Sequence, residues 1–381
     1  MFRKLLFPSL LVLALALSAC NLNVPAAPTV LPPATLPAVT VVALPTATLL
    51  PPATLAPSLI PLDTAVPTWT PAPIVAVSVP ASANFIDDRS SPWQVIVSYY
   101  NAISRQQYSR AYGYWNDPAT EAGDFTAFSN GYADTASVDL VFGNTAADPG
   151  MSQVYYTVPV ILKVTKTNST HANYSACYVI HETNPGVYGA PPVDPMSMVQ
   201  GAATVSDVNA PDASVLATAC NAFPNGGMTA NYYVDSPSDI SANNFVDNLS
   251  GPVEVVSSLL NALNLKQYAR GYGYFLTPAS FPGTYDPWAA GYANTGSMTV
   301  TFGAPTSEGA AGSIYTKVPL ATKVLTTANA TQTFVGCYTL RQVQPGIQTA
   351  PPFQPIGIVS GKFNQVSNSA DVNALLPTAC N

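Results

Sequence analysis

Two stretches of the chain repeat one pattern of apolar and polar positions. Trp93, Ile96, Val97, Tyr100 and Ile103 fall at helical spacing, and Val253, Val256, Leu260 and Leu263 do the same further on. Ser91 before Pro92 predicts an N-cap and a first turn; Ser250 or Gly251 stands likewise before Pro252. A second, shorter helix is expected from Tyr108, Ala111, Tyr112 and Trp115, and its counterpart from Tyr268, Gly271, Tyr272 and Phe275. Pro118 and Pro278 are expected to end the helical part. Beyond them the pattern alternates as strands do. Val138, Leu140 and Phe142 face one way and Ser137, Asp139 and Val141 the other, with Met298, Val300 and Phe302 matching them. Longer strands are predicted near residues 154–165, 174–180 and 196–208, and near 314–326, 333–340 and 356–366. Pro159 and Pro319 fall inside the longest strand of each set, which predicts an edge strand or a bulge there. An antiparallel sheet with a covering helix pair follows from this order of elements.

The two patterns are one domain made twice. Residues near 85–220 match residues near 245–380 at an offset of 160, and 14 of the 31 positions in 85–115 are identical to their counterparts. Gln107-Tyr108, Arg110 and Tyr112-Gly113-Tyr114 recur as Gln267-Tyr268, Arg270 and Tyr272-Gly273-Tyr274. A period this long marks duplicated globular domains rather than a solenoid, and each unit is long enough to bury a core. The expected division is a first domain over 85–220, a linker over 221–243 containing Pro224, Gly226, Gly227 and Pro237, and a second domain over 244–381.

What precedes the repeats is of another kind. Arg3 and Lys4 are followed by an apolar run to Leu17, too short to span a membrane. Leu17-Ser18-Ala19-Cys20 then resembles the bacterial lipobox. The resemblance implies a signal peptide over 1–19, cleavage before Cys20 and a diacyl anchor on its sulfur. Two acyl chains hold a protein on a membrane stably where one does not. The expected location is the cell surface or the periplasmic face of a membrane. From Asn21 to Pro80, 14 of 60 residues are proline and Asp63 is the single charge, so residues 20–84 are expected to form an extended tether. The net charge is −7, and the 13 Lys and Arg are scattered. That excludes a nucleic-acid partner, which needs clustered basic residues.

The opening helices carry a family resemblance. Tyr99-Tyr100-Asn101-Ala102-Ile103, followed by Gln107-Tyr108-Ser109-Arg110-Ala111-Tyr112, resembles the start of nuclear transport factor 2-like domains, and residues 263–272 repeat it. Tyr174–Tyr178 and Phe334–Tyr338 resemble a central strand of that superfamily. The resemblance implies an α+β fold in two tandem domains, each a curved antiparallel sheet covered by N-terminal helices, the cystatin-like cone. Enzymes of that superfamily place Asp or His inside the cone. Here Asp139 becomes Thr299, and His171 and His181 become Thr331 and Arg341, so such a site is absent from at least the second copy.

Candidate chemistry is sparse. Apart from Cys20, four cysteines remain, allowing three pairings; Cys177–Cys220 and Cys337–Cys380 are favoured because both intervals are 43 residues. No CxxC occurs and neither histidine recurs, so no metal and no cofactor is expected. Arg110 and Arg270 recur with Asp87 and Asp247, either as structural ion pairs or as a clamp for a ligand carboxylate. Lys163 and Lys323 recur on a strand and are expected to be solvated or edge-protecting. Tyr108, Tyr112, Tyr132 and Tyr155 recur as Tyr268, Tyr272, Tyr292 and Tyr315, and are expected to pack the core or line a small pocket. The leading expectation is a non-catalytic module binding a protein, glycan or small-molecule partner. An enzyme in the first copy using Asp139, Asp134 or His171 is one alternative, and a structural envelope component is another.

Overall fold

The computed structural model describes residues 75–80, 84–222, 232–234 and 245–381. The signal peptide, Cys20 and the tether as far as residue 74 lie outside the described residues, as does most of the linker.

In the first copy, a strand β1 (Val75–Pro80) precedes helices α1 (Pro92–Ser104), α2 (Tyr108–Tyr112), α3 (Pro118–Glu121) and α4 (Phe125–Gly131). Strands β2 (Thr135–Phe142), β3 (Thr145–Pro149), β4 (Gln153–Lys166), β5 (His171–Thr183) and β6 (Met196–Ser206) follow, then a short α5 (Asp212–Leu216). Helix α1 forms where the spacing predicts it. Ser91 accepts the Gln94 N–H at 3.3 Å, and Pro92 occupies the first turn. Pro118 does not end the helical part. It opens α3, because a missing N–H costs nothing in a first turn. Asp124 then caps α4 through the Thr126 and Ala127 N–H groups at 2.9 and 3.1 Å.

Strand β4 is the centre of the sheet. One side pairs with β2 and then β3, the other with β5, and β6 lies beyond β5, all antiparallel. Pro159 is therefore on a central strand and not an edge. It falls where β2 gives way to β3, so its missing donor faces the break, while its carbonyl accepts the Gly143 N–H at 2.9 Å. A Cβ on Gly143 would stand 3.1 Å from Pro159 Cγ and 3.3 Å from Leu216, which is why the break is made at glycine. Two further strands join from outside the repeat. β1, inside the span read as tether, pairs with β2 from Val75↔Phe142 to Pro80↔Ser137, and β7 (Tyr232–Val234), inside the linker, pairs with β3.

The second copy repeats the plan with α6 (Pro252–Asn264), α7 (Tyr268–Tyr272), α8 (Tyr285–Ala290), β8 (Thr295–Phe302), β9 (Thr306–Ala310), β10 (Ser313–Thr326), β11 (Thr331–Val343) and β12 (Gly357–Val366). Pro278 likewise precedes further helix, α8. Strands β8 and β9 lie end to end along one edge of β10; β11 pairs with the other edge and β12 lies beyond β11. Among the described residues nothing pairs outside β8 or β9.

Both sheets are open. Their strand orders run from one edge to another without closing or curling. This corrects the expectation of a curved sheet in a cystatin-like cone. The central pairs run thirteen residues in unbroken register, from Gln153↔Thr183 to Thr165↔His171 and from Ser313↔Val343 to Leu325↔Thr331. The register shifts lie in the flanking pairs, at Thr135/Ser137 and Val179/Ile180 in the first copy and at Leu325/Thr326 and Thr339/Leu340 in the second. Two tandem α+β domains with antiparallel sheets and associated helices remain.

Helix α1 is apolar almost all round and is buried accordingly. Val95, Ile96, Tyr99, Ala102 and Ile103 are fully covered, between the sheet and the shorter helices. The opposite sheet face is covered at the end of each repeat. Leu216 packs on Val141 and Ile161, and Leu376 on Ala321 and Val335. Disulfides Cys177–Cys220 and Cys337–Cys380 tie these ends to β5 and β11. Such bonds persist in an oxidising, extracytoplasmic compartment.

The copies meet through matching residues. Arg89 N–H donates to the Asp247 carbonyl at 2.7 Å and Leu249 N–H to the Asp87 carbonyl at 2.6 Å. Ser250 accepts the Asp87 N–H and Ser90 the Asp247 N–H, both at 2.9 Å. Asp88 and Asn248 form an antiparallel bridge between them. These backbone and serine contacts come in pairs related by the repeat offset, so this part of the junction has the reciprocal form of a two-fold interface within one chain.

Candidate functional site

The recurring arginines hold the helices and the entry strand together. Arg110 is almost completely buried. It donates to the Ile86 carbonyl, to Asn101 Oδ1 at 2.8 Å and to the Tyr114 hydroxyl at 3.4 Å, with its guanidinium 4.3 Å from the Phe85 ring centre. Asp87 is reached through Tyr114, whose hydroxyl donates to Asp87 Oδ1 at 2.8 Å; the ion pair of Asp87 is with Arg89, at 3.3 Å. In the second copy Arg270 donates to the Val246 carbonyl, Asn261, Tyr274 and Gln267 at 2.6–2.8 Å, and Tyr274 donates to Asp247 at 2.7 Å. Each arginine is thus spent on its own domain's framework.

A cavity opens on the other side of α1. It measures about 520 Å³ in the first copy, between α1, α4 and the sheet. Tyr100, Phe128, Tyr132, Tyr174 and Tyr178 supply aromatic walls, Val138, Leu162 and Val164 an aliphatic floor, and Asp124 and Lys166 the charge. The second copy has a cavity of about 280 Å³ at matching positions, lined by Leu260, Tyr292, Met298, Thr322, Val324, Phe334 and Tyr338. Their difference has a visible cause. Ala203 lines the first cavity, whereas Phe363 at the equivalent position fills the second and packs 4.8 Å from the Tyr338 ring.

Phenol groups dominate the polar chemistry inside. The Tyr100 and Tyr178 hydroxyls are hydrogen-bonded, and those of Tyr99 and Tyr132 lie 2.9 Å apart. Burial holds the Tyr100 and Tyr178 phenols well above the ordinary tyrosine value. Burial also raises Tyr338 in the second cavity. These groups stay protonated at neutral pH. Because each hydroxyl pair uses one proton, the other can serve a ligand acceptor. Lys166 is held by Asp134 at 2.8 Å, and Asp124 is occupied in capping α4.

Of the tyrosines expected in a pocket, Tyr132 and Tyr292 line these cavities. Tyr108 and Tyr268 stand behind them, donating to the Tyr132 and Tyr292 carbonyls at 3.3 and 3.4 Å. Tyr112 and Tyr272 tie the following loops through the Gly123 and Gly283 carbonyls, both at 2.6 Å. Tyr155 stacks on His181 at 5.0 Å beside the Cys177 cluster, and Tyr315 lies half-buried on β10 opposite Arg341. Tyr100, Tyr174, Tyr178 and Tyr338 are read from the sequence as helix and strand positions and not as pocket residues.

The acid–base candidates are dispersed. Asp139 is exposed on β2 and accepts from Ser78, Asp134 holds Lys166, and His171 is exposed beside Thr165 at 3.2 Å. Lys163 pairs with Asp212 at 3.0 Å, and Lys323 is exposed. Among the described residues no group of three His, Cys, Asp or Glu side chains is placed to hold a metal ion, and no helix is long and apolar enough to cross a membrane. No family model, curated protein or solved structure matches the chain.

Proposed function

We propose that this chain is a lipid-anchored extracytoplasmic binding protein whose first domain holds a small, largely apolar ligand. One observation carries the reading: a cavity of about 520 Å³ in the first copy, with Tyr100, Phe128, Tyr132, Tyr174 and Tyr178 among its walls. That volume and the few convergent polar groups are those of small-molecule sites. Its charged lining groups are engaged structurally, Asp124 in capping α4 and Lys166 in pairing with Asp134, which favours a reading of binding without catalysis. The lipid anchor rests on the sequence from Arg3 to Cys20, and the disulfides accord with export.

Two measurements test this. N-phenyl-1-naphthylamine, a neutral fluorescent probe, should brighten on binding the full chain. Ala203→Phe, which installs the residue of the second copy, should weaken that binding at least about tenfold while thermal unfolding stays close to that of the native chain. An unchanged probe signal with Ala203→Phe would reject the cavity as the site. For the anchor, Cys20→Ala should move the protein from the membrane fraction to the soluble fraction; retention on the membrane would reject lipidation.

A further inference from the structure

The two copies differ most at the outer edge of the sheet. In the first, β1 covers β2 and β7 covers β3; in the second, among the described residues, β8 and β9 have no outer partner. The burial follows. Leu140 and Phe142 are covered, whereas their counterparts Val300 and Phe302 are half-exposed. The residues preceding the second repeat at the β1 positions, Asp235-Ser236-Pro237-Ser238-Asp239-Ile240, have no strand alternation and include a proline.

We propose that the β8 edge docks an extended segment of a partner polypeptide, antiparallel, with aliphatic side chains at alternate positions. The occupant's chemistry is read from the first copy, where Val75, Val77 and Val79 stand opposite Phe142, Leu140 and Val138. The receiving strand carries no charge and no proline, the devices that usually protect an edge. Its backbone direction is fixed by Asn264. That side-chain amide accepts the Met298 N–H at 2.7 Å and donates to the Met298 carbonyl at 2.9 Å, as a neighbouring strand would. Met298 therefore points its backbone groups outward, and by the two-residue period so do Val300 and Phe302. Asn264 takes the first of these three positions and Lys266 caps the Thr295 carbonyl at the start of the strand, so among the described residues Val300 and Phe302 have no outer partner. Main-chain bonds at these two, with burial of their side chains, give the contact its affinity, and the aliphatic alternation gives its selectivity.

The test uses the full chain and a synthetic peptide with the sequence of residues 74–80, followed by amide hydrogen exchange in NMR. The expected result is protection of the Val300 and Phe302 amides at least about fivefold on adding peptide, extending to Met298 in Asn264→Ser, which places the first-copy residue there. Methylating the peptide nitrogens on one alternate set should abolish protection and on the other set leave it. No protection in either protein overturns the proposal. So does protection of β2 instead of β8, which is strand exchange, and so does a β8 edge already protected in a dimer of the free chain. The cavity reading is unaffected by any of these results.

Discussion

Asn101 shows how one side chain can hold a domain's entry. Its Oδ1 accepts both the Ile86 N–H at 3.0 Å and Arg110 at 2.8 Å, and its Nδ2 donates to the Asn84 carbonyl at 2.9 Å. Removing it takes one of three hydrogen-bond partners from a buried guanidinium and leaves the Ile86 N–H without its acceptor. Asn101→Ala should cost about 3 kcal/mol or more in denaturant unfolding, since a buried group left without its partner bears its full desolvation penalty. The recurrence of Asn101 as Asn261 was legible in the sequence; its role was not, because the partners Asn84 and Ile86 come from outside the helix. The cavity was hidden for a different reason. Tyr100 becomes Leu260 and Tyr174 becomes Phe334, so a search among recurring tyrosines passes over two residues of the first cavity's wall. Recurrence finds what both copies need to fold, and a site specialised in one copy is what it omits.

At the scale of elements, each repeat is sealed at its end by sulfur. Closing a loop of 43 residues removes conformational freedom from the unfolded chain. In the chain-entropy account that amounts to about 4 kcal/mol. Cys177→Ala with Cys220→Ala should lower the stability of the first domain by about that amount, measured by chemical denaturation, with less effect on the second. An unchanged midpoint would place the stability of the repeat's end in Leu216 and its neighbours. Both pairings were legible from their equal intervals. The helices and long strands were legible from spacing and alternation. β1 and β7 were not, because a strand that joins a sheet from a tether or a linker has no counterpart at the repeat offset. The open form of the sheets was misjudged from the resemblance, since sequence alternation fixes which face a residue takes and says little about how far a sheet bends.

For the molecule as a whole, the junction between copies is one place where pH enters. Burial raises the Asp88 carboxyl above its ordinary value, opposed by its bonds to Ser90 and aided by repulsion from Asp247 and Asp87. A carboxyl raised in the folded state contributes stability at pH below its unfolded value and loses it as pH climbs through the folded value. At neutral pH the penalty is in force. Asp88→Asn, which puts the residue of the second copy at this place, should raise the melting temperature at pH 7, and the gain should shrink as the pH approaches 4. A gain independent of pH would assign the effect to packing and not to ionisation.

The pairing of β1 with β2 also sets where the molecule yields to tension. Load arriving from the residues ahead of Val75 reaches β1 before anything else, and β1 is held by strand pairing and the burial of Val79. The far end of the same domain is covalently stapled to β5. The first strand is held by noncovalent contacts and the last part of the domain by a covalent bond, so under tension Val75–Pro80 is expected to part from β2 before the disulfide-tied end yields. The edge at Leu140 and Phe142 would then be uncovered, and the first domain would present the same kind of margin that β8 presents among the described residues.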